Sequence, residues 1–171
     1  MATRLGLALL LMCCALSARA QVPHILGTWK LNVPASRLPG PAPQTHVRRY
    51  SLGPDGTIIG LAVMVDAQGN PGFLQFAAKP DGKDYPELDA RSAAQYLIDG
   101  SAPLATYAET PVDSRTVEWV DKYEGTVIAS GRKWVSEDGR TLTFTAVVKG
   151  EDDEEREFLF VFDRVVPDEA N

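Results

Sequence analysis

Few residues in this chain are of a type and spacing suited to chemistry. His24 and His46 are the only two histidines, so a mechanism that needs an imidazole base has two places to put one. His24 stands close to the expected start of the mature chain, while His46 opens a strand on the face shared by Arg48 and Tyr50; both read as surface or hydrogen-bonded polar groups. No G-x-S-x-G elbow presents a serine nucleophile. No H-E-x-x-H run or cysteine cluster outlines a zinc centre, and no glycine-rich phosphate loop is present. The acidic run Glu151 to Glu157 (EDDEERE) has enough carboxylates for calcium. It lacks the alternating ligands and central glycine of a calcium loop, and reads as a solvated connection that keeps neighbouring strands from pairing. Asp66 to Gly72 (DAQGNPG) offers a cation only Asp66 and Asn70, and reads as a turn. Asp84, Tyr85, Glu87 and Tyr107 are the carboxylates and phenols from which an active site could be assembled, but they form no known catalytic pattern. The expectation is a protein that is not an enzyme and takes no cofactor and no metal.

What the chain does have is a supply of large apolar side chains. Tyr50, Met64, Phe76, Trp119, Trp134, Phe144, Phe158, Phe160 and Phe162 are enough either to fill a small interior or to line a ligand cavity with aromatic walls. Phe158, Phe160 and Phe162 share one face of the last strand, because side chains alternate across a strand.

The elements that must position these groups are strands. Gly53-Pro54-Asp55-Gly56, Asp66 to Gly72, Pro80-Asp81-Gly82 and Glu137-Asp138-Gly139-Arg140 are turn sequences, with the asparagine, aspartate, glycine and proline that hairpins demand. Between them lie nine candidate strands: 27–33, 45–52, 57–65, 73–79, 104–110, 115–123, 126–136, 140–149 and 157–165. Leu142, Phe144, Ala146 and Val148 alternate cleanly with Thr141, Thr143 and Thr145. Gly60 and Gly131 fall inside strands, where a missing side chain permits the bends a barrel needs. Two segments differ: Pro34 to Gln44, with four prolines, is expected to form an irregular loop or flap. Asp89 to Asp99 is expected to form a short helix capped by Asp89. The fold class is therefore all-β, an antiparallel meander barrel of about eight or nine strands with one helical insert; a β-sandwich is the alternative.

The first twenty residues are of another kind: Arg4, an apolar run from Leu5 to Leu16, then Ala18-Arg19-Ala20. This is the pattern of a secretory signal peptide cleaved after Ala20. Residues 21–171 are then a single mature domain, periplasmic or secreted. Cys13 and Cys14, the chain's two cysteines, leave with the signal, so the mature core has no disulfide to support it. Without Arg4 and Arg19 the 17 basic residues fall to 15 against 23 acidic ones, a formal charge of −8. Such a balance argues against nucleic acid and anionic lipid as partners. No later apolar run is long enough to span a membrane.

The opening Gly27-Thr28-Trp29-Lys30-Leu31-Asn32, followed by a long meander, resembles the G-x-W start of lipocalin-like barrels. The later Asp81 to Pro86 (DGKDYP) and the hairpin Val135 to Thr143 (VSEDGRTLT) are similar to segments of small secreted bacterial proteins of unknown role within that group. The resemblance implies that Trp29 sits at the closed end of a barrel and that Arg164, from the last strand, packs across it as structural closure. By analogy with that fold, the expected function is an exported, non-enzymatic binding protein that holds a small hydrophobic molecule in its cavity. A scaffold module with a packed core, meeting a protein partner through its surface, is the alternative. An enzyme using Asp84, Tyr85, Glu87 and Tyr107 is the third reading.

Overall fold

Strands in which every second residue is apolar can bury only one face, and a chain of antiparallel hairpins buries it without leaving an edge by curling until its ends meet. A computed structural model, describing residues 24–149 and 154–166, shows this solution. Its strands are β1 (Gly27–Leu31), β2 (Thr45–Leu52), β3 (Ile58–Val65), β4 (Pro71–Ala78), β5 (Tyr85–Asp89), β6 (Ala105–Pro111), β7 (Thr116–Tyr123), β8 (Thr126–Val135), β9 (Thr141–Lys149) and β10 (Glu155–Val165), with helix α1 (Ala90–Asp99) between β5 and β6. Each strand pairs antiparallel with the next, and β1 pairs with β10 to close the barrel. Trp29 lies opposite Arg164 across that closing seam and opposite Arg48 across the β1–β2 ladder.

The barrel replaces the sandwich alternative, and it has ten strands rather than eight or nine. The additional strand is β5, which pairs over three residues with β4 and over two with β6. It is short and contains Pro86, which cannot donate to a ladder. Residues 1–20, read as a signal peptide, lie outside the described residues, as do residues 151–153 of the acidic run. Among the described residues no helix is long and apolar enough to cross a membrane.

Local chemistry sets the connections. In the β3–β4 turn Asp66 Oδ1 accepts from the backbone N–H of Gln68 and Asn70, and Oδ2 from Asn70 Nδ2 at 2.8 Å, so the carboxylate is used to hold a turn. Helix α1 begins with a capping box: Asp89 accepts from Ser92 N at 2.7 Å, and Ser92 Oγ accepts from Asp89 N at 2.9 Å. The proline-rich segment makes a 3-10 turn over Val33–Ala35. It then bridges to β10 through paired backbone bonds between Arg37 and Leu159 at 2.8 and 3.0 Å. Leu38 from this segment packs on the core, so the loop covers the upper end of the barrel, where β1 ends and β2 begins.

Inside, alternation places Trp29, Tyr50, Ile58, Phe76, Tyr107, Trp119, Leu142, Phe144 and Phe162 in one buried cluster. Phe76 stacks on Tyr107 with ring centroids 4.0 Å apart, and Phe144 meets Phe162 edge-on at 5.6 Å. Gly131 is a required absence in this packing: a β-carbon there would overlap the carbonyl of Thr145 and press on Trp119.

Candidate ligand-binding site

The interior is not purely apolar. On β8 the inward phase runs Gly131, Lys133, Val135, and on β6 it runs Tyr107, Glu109. The sheet therefore carries a lysine and a glutamate inward. Lys133 is 1% and Glu109 4% exposed. The Lys133 ammonium contacts Glu109 Oε1 directly and Tyr107 Oη at 2.8 Å, and Tyr107 donates to Glu109 Oε1 at 2.5 Å. Each charge has its counter-charge and each donor an acceptor, which burial requires. The rings of Tyr50, Phe76, Tyr107 and Phe144 surround the ammonium at 5.0 to 5.8 Å. Burial and the Glu109 carboxylate push the Tyr107 phenol well above its ordinary pKa, so it stays a donor.

Above this triad, toward the proline-rich loop, a cavity of about 80 Å³ is lined by Arg48, Leu74, Phe76, Glu87, Tyr107, Trp119, Asp121, Phe144, Ala146 and Phe160. Here satisfaction fails. Glu87 Oε1, Trp119 Nε1 and Asp121 Oδ1 are buried and make no hydrogen bond to another described residue. Burial, reinforced by the Asp121 charge, pushes the Glu87 carboxyl up to about 8 against the pull of Arg48. Burial raises Asp121 to about 6, opposed by Arg48 and Lys133. Arg48 hydrogen-bonds to His46 Nε2 at 3.3 Å and lies over Phe144, its guanidinium carbon 4.7 Å from the ring centroid. Burial first, and Arg48 second, lower His46 to about 3, which keeps it neutral.

A second and larger space opens at the lower end. It has a volume of about 340 Å³ and is walled by Ile25, Ile58, Pro111, Val117, Val135 and Leu142, with Arg115 and Trp134 among its other lining residues and Lys133 and Glu109 reaching it from the interior. Beside it, Arg164 places its guanidinium carbon 4.0 Å from the Trp29 ring centroid. Arg164 also donates to the carbonyls of Gly139, Leu26 and His24 at 2.5, 2.7 and 2.9 Å. Trp29 Nε1 donates to Ile25 O at 2.7 Å. Together these bonds hold the segment before β1 across the barrel end.

The aromatic residues singled out from sequence are therefore distributed rather than gathered. Tyr50, Phe76, Trp119, Phe144 and Phe162 belong to the buried cluster, with Phe160 partly buried against it. Phe76, Trp119, Phe144 and Phe160 line the upper cavity, and Trp134 the lower pocket. Met64 and Phe158 are half-buried and line neither space. Of the four groups considered for an active site, Glu87 and Tyr107 reach the upper cavity. Asp84 pairs with Lys122 at 2.8 Å and Tyr85 donates to Asp81 at 3.2 Å, so the set is not brought together. Among the described residues no group of three or more acidic, histidine or cysteine side chains is placed to hold a metal.

Arg48, Glu109, Asp121 and Lys133 are the interior polar residues that sequence reading passed over. The available signal is phase: each is two positions from an inward aromatic or glycine on its own strand, Arg48 from Tyr50, Glu109 from Tyr107, Asp121 from Trp119 and Lys133 from Gly131. No model of a known protein family matches the chain, and no curated protein matches it at a significant level.

Proposed function

We propose that this is an exported, non-enzymatic binding protein of lipocalin-like type that holds a small, mainly apolar molecule at the lower end of its barrel. The observation that carries this reading is the pocket of about 340 Å³ between Ile58, Pro111, Val117, Val135 and Leu142. Its size is at the small end of the range for ligand sites, which are concave, mostly apolar and supplied with a few polar groups. Here the polar groups include Asp113, Ser114, Arg115 and Thr116 around the β6–β7 turn and the Lys133–Glu109 pair inside. Behind the pocket, the Phe76–Tyr107 stack packs the middle of the barrel.

Native mass spectrometry of the purified protein, before and after mild organic extraction and again after addition of decanol, tests the reading. A one-to-one adduct that extraction removes, decanol restores and Val117→Trp abolishes is the expected result. Bare protein that takes up no decanol, or uptake indifferent to Val117→Trp, would overturn it.

A further inference from the structure

We infer that the upper cavity is a second, separate binding site, for a compact organic ammonium ion held between the carboxylates of Glu87 and Asp121, with a hydroxyl or ether oxygen of the same molecule accepting from Trp119 Nε1. Three buried polar atoms around one small space lack partners, namely Glu87 Oε1, Asp121 Oδ1 and Trp119 Nε1. Glu87 and Trp119 are only 5% and 7% exposed, so bulk water is a poor substitute. Two of the three atoms accept hydrogen bonds and one donates, a set complemented by an ammonium group with an oxygen a short carbon chain away.

The charges point the same way. Lys133 is taken up by Glu109, which among the described residues leaves Arg48 as the one cation lining the cavity against two carboxyl groups. Fully ionised, the site is one positive charge short. A proton fills that deficit when nothing else does, in keeping with the raised Glu87 carboxyl; an ammonium ion fills it better, because it brings three donors and apolar carbon. Phe76 and Phe160 line the cavity and offer that carbon apolar contact, and aromatic rings attract cations. The volume of about 80 Å³ admits only a few heavy atoms. The β5–β6 ladder ends at Pro86–Thr106, next to Glu87.

Binding should exchange an ammonium for a proton. Among the described residues, the charged and titratable groups around Glu87 are Arg48 from β2, Tyr107 from β6, Asp121 from β7 and Asp89 on its own strand, with Lys133 from β8 acting on Asp121. At pH 7 Glu87 holds a proton that the incoming cation displaces, so affinity for amine rises as pH approaches about 8.

Isothermal titration of the protein with ethanolamine, ethylammonium and neutral 1-propanol at pH 6.5 and 8 tests the site. Ethanolamine should bind at least about tenfold more tightly than 1-propanol, more tightly at pH 8, and with a heat that differs between HEPES and phosphate because a proton is released. Glu87→Gln and Asp121→Asn should each weaken ethanolamine binding about tenfold or more, while Trp119→Phe should erase the preference for ethanolamine over ethylammonium. The decanol adduct of the lower pocket should persist in all three variants, which separates this site from the proposed function. Equal binding of 1-propanol, or unchanged ethanolamine affinity in whichever of the two carboxyl variants folds, would overturn the proposal.

Discussion

Lys133 and Glu109 meet in the middle of the barrel, brought together from β8 and β6 across β7, and neither side chain has appreciable contact with solvent. A buried pair of this kind is a poor source of net stability but is costly to break, because the survivor keeps its charge and loses its partner. Lys133→Met should therefore destabilise the fold by about 3–5 kcal/mol, whereas the double variant Lys133→Met, Glu109→Leu should recover most of the loss. Urea unfolding of the two proteins at one pH decides it. A single variant as stable as the parent would show that the pair is not desolvated in solution.

At the lower end Arg164 and the fully buried Trp29 hold the barrel end together. The guanidinium stacks on the indole and fixes three carbonyls, at Gly139, Leu26 and His24. A lysine keeps the charge but not the planar fork. Arg164→Lys should cost about 1–3 kcal/mol through bonds that one ammonium cannot all replace. Trp29→Phe, which removes the bond to Ile25 O and part of the stacking surface, should cost less than Arg164→Lys. Thermal melts of both variants give the order, and a reversed order would mean that the stacking surface matters more than the hydrogen bonds.

How much of this was legible beforehand follows from the range of each signal. Hairpins announce themselves locally, so nine strands and the helix after Asp89 could be read from turn residues and alternation. Strand β5 could not, because five residues including Pro86 are too few for alternation to stand out, and its pairing depends on what β4 and β6 present. The aromatic content of the core was equally plain. Its polar centre was hidden for a different reason: Lys133, Glu109 and Asp121 share the inward phase of Gly131, Tyr107 and Trp119, but that phase brings them to one face only once β6, β7 and β8 are paired in register. Register and closure are tertiary facts, and they decide which charges are inside.

Gly131 makes the dependence on close approach testable. A β-carbon there would overlap the backbone oxygen of Thr145, whereas at Gly60 the nearest atoms it would meet all belong to the ring of Phe76. Backbone in a barrel wall cannot retreat without breaking ladder bonds, but a ring can shift at the expense of its stacking. Gly131→Ala should cost more than Gly60→Ala, both lying within or above the range of about 1–3 kcal/mol for overpacking. Circular dichroism and urea midpoints would measure the gap; equal midpoints would place the β8–β9 strands further apart than they are here.

The pH dependence of stability isolates Glu87. Its carboxyl has an ordinary pKa of 4.5 and about 8 in the fold, so between those values the folded protein holds a proton that the unfolded chain has released. Folded protein binding more protons means that stability falls as pH rises. Asp121 acts in the same direction between 3.8 and about 6. His46, lowered from 6.5 to about 3, acts oppositely over that range, since there the unfolded chain binds the extra proton. These two partly cancel at lower pH, leaving Glu87 to act between pH 6.5 and 8. The fall there should be on the order of 1–2 kcal/mol, read as a drop in urea midpoint. Glu87→Gln, which keeps the shape of the protonated carboxyl and cannot ionise, should remove the fall. Asp121→Asn should move it to lower pH, because the Asp121 charge is the second cause of the rise after burial. A midpoint that falls equally in the parent and in Glu87→Gln would assign the titration to another group and leave Glu87 ionised within the barrel.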